Sequence, residues 1–300
     1  MKFFYSLIFC FFLAQISVGQ SSIFKQSDSV NGRRVAFSTA SIGTAWSIGT
    51  IGLSKVWYAD YPKAKFHTYN DFSNWLQMDK VGHFYTANKL SKVTSDVFKW
   101  SGLKNKQAIL LGAGIGLGLQ TTLEVLDARS AEWGFSWSDM TANSLGVISF
   151  AAQELIWNEE KFILKFSYHP TRYAKLRPNV LGSTFSQSVL KDYNGQTYWM
   201  SFSPSNFMKS SKIPDWLCFS VGYSVNQKLV GDQEVYIDNT TNITYHSQRE
   251  WVLSLDIDFS RLPIKRVWLK SICKQLNYIK IPFPALMYSN HKWSGYGLYF

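Results

Sequence analysis

The hydrophobic period of this chain changes part-way along. Up to about residue 160 the apolar residues recur at helical spacing, and after about residue 195 they alternate. A helical period does not settle as a strand, nor an alternating one as a helix. The expected fold is therefore α+β: an N-terminal helical bundle of about four helices, followed by a small antiparallel β-rich C-terminal region. The divisions read as a signal segment over 1–20, a helical domain over 21–165, a linker over 166–195 and a β-rich extension over 196–300.

In the helical half, Val35 to Ser54 carries no formal charge. It is long enough to span a bilayer, but its Ser, Thr and Gly content favours a buried or membrane-adjacent helix. A second helix is expected from Asp71 or Asn74 to Trp100, stopped by Gly102. The third follows Asn105 and contains AILLGAGIGLGLQTTLEVLD. Its glycines read G-x-G-x-G-x-G with no strand before them, so this is not a dinucleotide loop. Gly112 and Gly116, and Gly114 and Gly118, fall four apart, which suits close helix packing. The fourth helix opens in EWGFSWSDMTANSLG, where Ser136 and Asp139 have capping-box spacing.

In the second half, WLCFSVGYSV and WVLSLDIDF alternate, and DNTTN (238–242) is a turn between them. Residues 264–278 read as a basic helix whose wet side can meet anionic lipid, against the plainer reading of a solvated helix face. The closing GYGLYF alternates and ends on Phe300, like the last strand of an outer-membrane barrel. Only five or six strands are readable, however, and such barrels start at about eight. A small sheet packed on the bundle is expected.

MKFFYSLIFCFFLAQISVGQSS has the layout of a secretory signal, with Lys2, an apolar run and small residues at 18–20. Export removes nucleic acid from the partners that a net charge of +11 would suit. Aromatic residues at 17% and charged residues at 17% fit an envelope or membrane-associated protein better than a cytosolic one. Cys10 lies inside the apolar run rather than just after it, where a lipoprotein cysteine belongs. Cys218 and Cys273 either pair in an oxidising periplasm or are two buried thiols. The expected location is the periplasm or outer membrane of a Gram-negative cell.

Three polar pairs stand at helical spacing: Asp79 with His83, Glu124 with Asp127, and Asp139 with Asn143. Each pair shares a helix face. Carboxylates in an apolar bundle are costly unless paired or bound, which makes these residues, with Lys80, Trp133 and Ser136, the candidate polar site. Three chemistries fit: oxygen-rich ligation of a divalent cation, acid–base work by a histidine and carboxylates, or mutual satisfaction with Lys80 and Arg129 as counter-charges. In that last reading Asp139 only caps its helix and the tryptophans plug the core. No cofactor is expected, and a divalent cation is the one that this cluster could hold. An envelope lipid or glycan is a partner the site could take, and membrane association is expected. No G-x-S-x-G, H-E-x-x-H or C-x-x-C occurs.

WLQMDKVGHFYTA, TTLEVLDARSAEWGFSWSDMTANSLG and QELIW together resemble the YfiM-like periplasmic lipoproteins, a domain of unknown function, in the Bacteroidetes form with a C-terminal extension. The likeness covers about 71–166. It is more distantly similar to VanZ-like membrane proteins. The resemblance implies that Asp79, His83, Glu124, Asp139 and Asn143 belong together. It implies no substrate. The missing lipoprotein cysteine is a departure from the pattern. The expected function is an exported envelope protein, structural or ligand-binding. The alternative is an enzyme acting on a lipid or glycan headgroup.

Overall fold

The computed structural model describes residues 25–58, 61–208 and 212–300. The stretch read as a secretory signal, with Cys10, lies outside the described residues.

Helix α1 (Gly32–Leu53) begins at Asn31, whose side chain accepts the Arg34 amide at 3.1 Å. Of the two readings of this helix, buried or membrane-adjacent, burial does not hold, because among its residues only Ser38 is buried. Its N-terminal end is tied to the bundle by hydrogen bonds. The Asn31 amide donates to the Ser101 carbonyl at 3.0 Å, and the Ser38 and Ser101 hydroxyls meet at 2.8 Å. Gly102 has φ +90°, and a Cβ there would run into the Ser29 carbonyl, so the second helix stops where expected.

Helices α2 (Met78–Trp100), α3 (Asn105–Asp127) and α4 (Trp137–Trp157) form the bundle proper. Gly112 and Gly116 press on the backbone of α2 at Ser91, and Gly146 presses on the Phe84 carbonyl. Gly114 and Gly118 face open space, so only one of the two glycine pairs is a packing device. The central helix is the polar one. α2 buries Asn88, Lys89, Ser91, Lys92 and Ser95. Lys89 and Lys92 meet Glu160 at 3.1 and 3.2 Å, and Lys99 meets Glu154 at 2.6 Å. The apolar residues Leu110, Leu111, Leu145 and Ile148 of α3 and α4 point outward. By length and composition α3 is apolar enough to cross a membrane.

Strand β1 (Phe162–Tyr168) starts the sheet directly after the bundle. Three short helices follow, α5 (Tyr173–Leu176), α6 (Pro178–Leu181) and α7 (Phe185–Lys191), and then β2 (Gln196–Phe202) and β3 (Leu217–Asn226). A hairpin of β4 (Val235–Asp238) and β5 (Ile243–His246) stands apart, with DNTTN at its tip. Strand β6 (Gln248–Ile257), helix α8 (Val267–Leu276), β7 (Phe283–Ser289) and β8 (Lys292–Tyr299) complete the chain. The main sheet is an antiparallel meander in the order β1-β2-β3-β6-β7-β8. It curls until Tyr299 meets Trp199 and Thr197, and the Lys280 amide donates to Phe166 on the free edge of β1 at 2.9 Å.

The described residues thus hold eight strands, more than the sequence showed. FILKFSY was missed because neither face of β1 is wet, so it lacks a clean period of 2. Cys218 is buried and Cys273 half-buried, both as free thiols. The disulfide is therefore not found; both are free thiols, as in the alternative reading, but only Cys218 is buried.

Candidate functional site

The site forms where the start of α2, the end of α3 and the start of α4 meet. The chain enters α2 through a turn in which Trp75, Leu76 and Gln77 all have positive φ, at 53°, 53° and 65°. Three successive non-glycine residues in that region are strained, and they are held from outside. The Trp75 amide donates to Gly231 at 2.7 Å, and the Leu76 carbonyl accepts from both Tyr223 and Arg249. The W-G-F-S-W stretch is pinned as well. Phe135 donates to His67 at 2.9 Å and its carbonyl accepts from Tyr69 at 3.0 Å. A side chain at Gly134 would strike Tyr69.

Ser136 caps α4 by accepting the Asp139 amide at 3.0 Å. The other half of the capping box is not made by Asp139. Glu124 takes the Ser136 amide instead, at 3.3 Å. Asp139 is thereby free to face Lys80.

Lys80 is the hub. Its ammonium lies 2.8 Å from Asp71, 2.9 Å from Asp79 and 2.8 Å from Asp139. Asp71 also accepts from the Ser136 and Ser138 hydroxyls at 2.6 and 2.8 Å. Tyr193, from the segment before β2, donates to Asp79 at 2.8 Å. His83 Nδ1 sits 3.1 Å from Asn143 Oδ1 and 3.5 Å from Glu124, while its Nε2 faces Asp79 at 3.7 Å. Gln120 donates to the same Asn143 oxygen at 2.9 Å. Asp127 accepts from Tyr58 at 2.6 Å. Glu124 Oε1, Gln120 Oε1 and Asn143 Nδ2 are buried without a hydrogen-bond partner.

Burial and charge separate the carboxylates. Burial would raise Asp79, but the His83 and Lys80 charges outweigh it and hold the group at about 2. Burial, then repulsion from Asp79, lifts Asp139 to about 7. Burial lifts Glu124 to about 8, against the pull of His83, and lifts Asp127 to about 6. Burial opposes the His83 cation, yet Asp79, Asp139 and Glu124 carry it up to about 9. Lys80 is raised by its carboxylates despite burial. Burial would raise Asp71 too, but Lys80 and the Ser136 and Ser138 hydroxyls hold it below its ordinary value, so near neutral pH the site holds two cations, two ionised aspartates and carboxyls that can still keep a proton.

A cavity of about 630 Å³ opens on this cluster. Asp79, His83, Asp127, Trp133 and Asp139 line it, with the rings of Tyr58, Tyr61, Trp75 and Tyr193. Trp133 packs edge-on against Tyr58 and Tyr61 at 5.5 and 4.7 Å, so it is a cavity wall rather than a core plug, and Trp137 is exposed. Lys80, Glu124, Ser136 and Asn143 join the same hydrogen-bonded and ionic cluster. Arg129 is exposed and stands outside it.

Sequence reasoning missed Asp71, Tyr58, Gln120, Ser138 and Tyr193. Asp71 and Ser138 lie inside the motif stretches and were legible as polar residues beside a helix start. Tyr193 is far along the chain from Asp79 and carried no signal.

Residues 68–154 match the family described as a predicted periplasmic lipoprotein (DUF2279). The match begins just before Asp71 and ends at Glu154, so it spans the site from Asp71 to Asn143 and omits Tyr58, Tyr193 and the sheet. Its description agrees with the export to the envelope read from the first residues. No curated protein and no solved structure matches the chain.

Proposed function

We propose that this is a ligand-binding protein of the cell envelope whose cavity takes a neutral, polyhydroxylated headgroup of glycan type. One observation carries the reading: acidic acceptors and aromatic faces line the same 630 Å³ cavity. That volume suits a small ligand. Carboxylates accept hydroxyl donors, and the rings of Trp133 and Tyr61 offer apolar faces to sugar C–H groups. Six carboxyl side chains line the cavity against His83, Arg177 and Lys191, with Lys80 beside them, and that surplus disfavours an anionic ligand. The YfiM-like and VanZ-like resemblances fit a shared cluster and add no substrate.

A divalent cation is a weaker fit. Asp79, His83 and Asp139 present ligand atoms within 4.8 Å of one another, but the Lys80 ammonium already contacts both aspartates. A metal would compete with it for the same oxygens.

Titration calorimetry with N-acetylglucosamine oligosaccharides tests the reading. Binding is expected, weakened about tenfold in Trp133→Ala, the loss of roughly one aromatic contact. Absence of heat with every oligosaccharide, together with lowered melting in Glu124→Gln and Asp139→Asn, would leave a purely structural polar core. A second reading, acid–base catalysis on such a headgroup, rests on His83 Nε2 lying 3.7 Å from Asp79 and 4.0 Å from Asp139, one carboxyl held low by its cations and the other raised by burial. It requires turnover of the same sugars that Asp139→Asn abolishes.

A further inference from the structure

The six-stranded sheet is patterned the wrong way round for water. Its concave side holds Lys165, Asp256, Ser201 and Ser220. Lys165 and Asp256 are fully buried 2.8 Å apart, and the Ser201 hydroxyl donates to Asp256 at 2.6 Å. Trp199, Val252 and Met287 fill the rest of that side. The convex side shows the opposite chemistry. Phe219 pairs across the ladder with Leu255, Leu253 with Leu286, and Tyr288 with Trp293. Of these, Leu286 is 55% exposed and Trp293 61%. A water-facing antiparallel sheet alternates with its apolar set inward; an apolar outer face over a polar interior is the arrangement of sheets in contact with lipid.

The convex face is not simply an uncovered core. One end of it is covered by the bundle: Phe166 and Tyr198 pack on Tyr85, and Tyr223 and Val225 pack on Leu76 and Met78. The exposed part begins beyond that contact. The bundle repeats the inversion, with charges on the central helix and leucines on the outer ones. Such an apolar skin is too extended for the patch usual on a soluble monomer.

Charge placement points to the same occupant. In α8 no residue is fully buried, and Val267 and Trp268 are exposed beside Arg266 and Lys270. A basic helix with an unburied apolar face suits the headgroup layer of an anionic membrane. We infer that the convex face of the sheet is a lipid-contacting surface that rests among the acyl chains of a bilayer, with α8 at the headgroup level.

The test uses full-length protein and vesicles of phosphatidylethanolamine and phosphatidylglycerol. The protein should float with the vesicles and stay bound in about 1 M salt, where the Debye length is only about 3 Å. In vesicles with brominated acyl chains its tryptophan emission should fall. Trp251→Phe and Trp293→Phe should each reduce the quenched fraction, whereas Trp199→Phe, on the buried side, should not. Leu253→Asp with Leu286→Asp should cut the vesicle-bound fraction by about tenfold or more. Two results would overturn the inference: equal quenching loss in all three tryptophan variants, or a protein that stays off the vesicles, whether as a monomer or as a dimer which the double aspartate variant converts to monomer. The tryptophan variants are conservative, so the reading survives if the aspartate variant fails to fold. Sugar binding in the cavity is measured separately and does not depend on this surface.

Discussion

Lys80 shows how one residue organises the site. Three aspartates reach it at 2.8–2.9 Å, from a loop, from its own helix and from the start of α4. Removing the cation would leave buried carboxylates facing one another, so Lys80→Met should lose about 3–5 kcal/mol in denaturant unfolding. The same variant frees the oxygens of Asp79 and Asp139. Calcium or magnesium should then raise the melting temperature of Lys80→Met and leave the parent unmoved; an equal rise in both would mean that the metal binds elsewhere. The titration of the site gives a further expectation. Glu124 and His83 are both raised in the folded state, to about 8 and about 9. The unfolded chain therefore releases those protons first as pH rises, and stability falls. The His83 contribution is full below its ordinary value of 6.5 and is lost as pH rises through about 9. The Glu124 contribution fades between 4.5 and about 8. Asp79, lowered to about 2, acts at the other extreme, and its contribution is lost as pH falls from 3.8 through about 2. Melting temperature should therefore decline from mildly acid to alkaline pH, with a shallower slope in Glu124→Gln. An unchanged slope in that variant would remove Glu124 from the account.

At the scale of the element, the glycines of α3 separate two roles that look alike in the sequence. Gly112 and Gly116 touch the backbone of α2 at Ser91, whereas Gly114 and Gly118 meet nothing within 4 Å. Alanine at either of the first two positions forces the helices apart, at about 1–3 kcal/mol each. Alanine at Gly114 or Gly118 should stabilise by roughly 0.5–1 kcal/mol, because it only restricts the unfolded chain and improves helix propensity. Thermal melts of the four single variants check the sign at each position. The entry to α2 makes a related point. Trp75, Leu76 and Gln77 carry no glycine or asparagine that would announce a left-handed turn. Their conformation is imposed by Gly231, Tyr223 and Arg249 from the β-rich half. Local propensity put the start of the second helix at Asp71 or Asn74, and these tertiary contacts moved it to Met78.

The bundle and the sheet are tied together at the site and away from it. Tyr193 bonds to Asp79, Tyr85 donates to the Tyr278 carbonyl at 2.7 Å, and Lys274 pairs with Asp96 at 3.1 Å. These links should make the bundle and sheet unfold as one unit. Far-UV and near-UV signals should give coincident denaturant transitions, and Tyr193→Phe should shift both together; two separated transitions would show independent domains. The sequence alone determined the switch from helices to strands, the pairing of Asp79 with His83 and of Asp139 with Asn143 on shared helix faces, and the Ser136 cap. Each is a local consequence of period, spacing or a cap within a few residues. The tertiary structure decided which carboxylates share Lys80, that Glu124 rather than Asp139 completes the cap, and that Tyr193 closes the cavity. It also decided which side of the sheet is inside. Alternation shows that a strand has two faces. Only the curl of the sheet, which draws Lys165 and Asp256 inward together, shows that the polar face is the buried one.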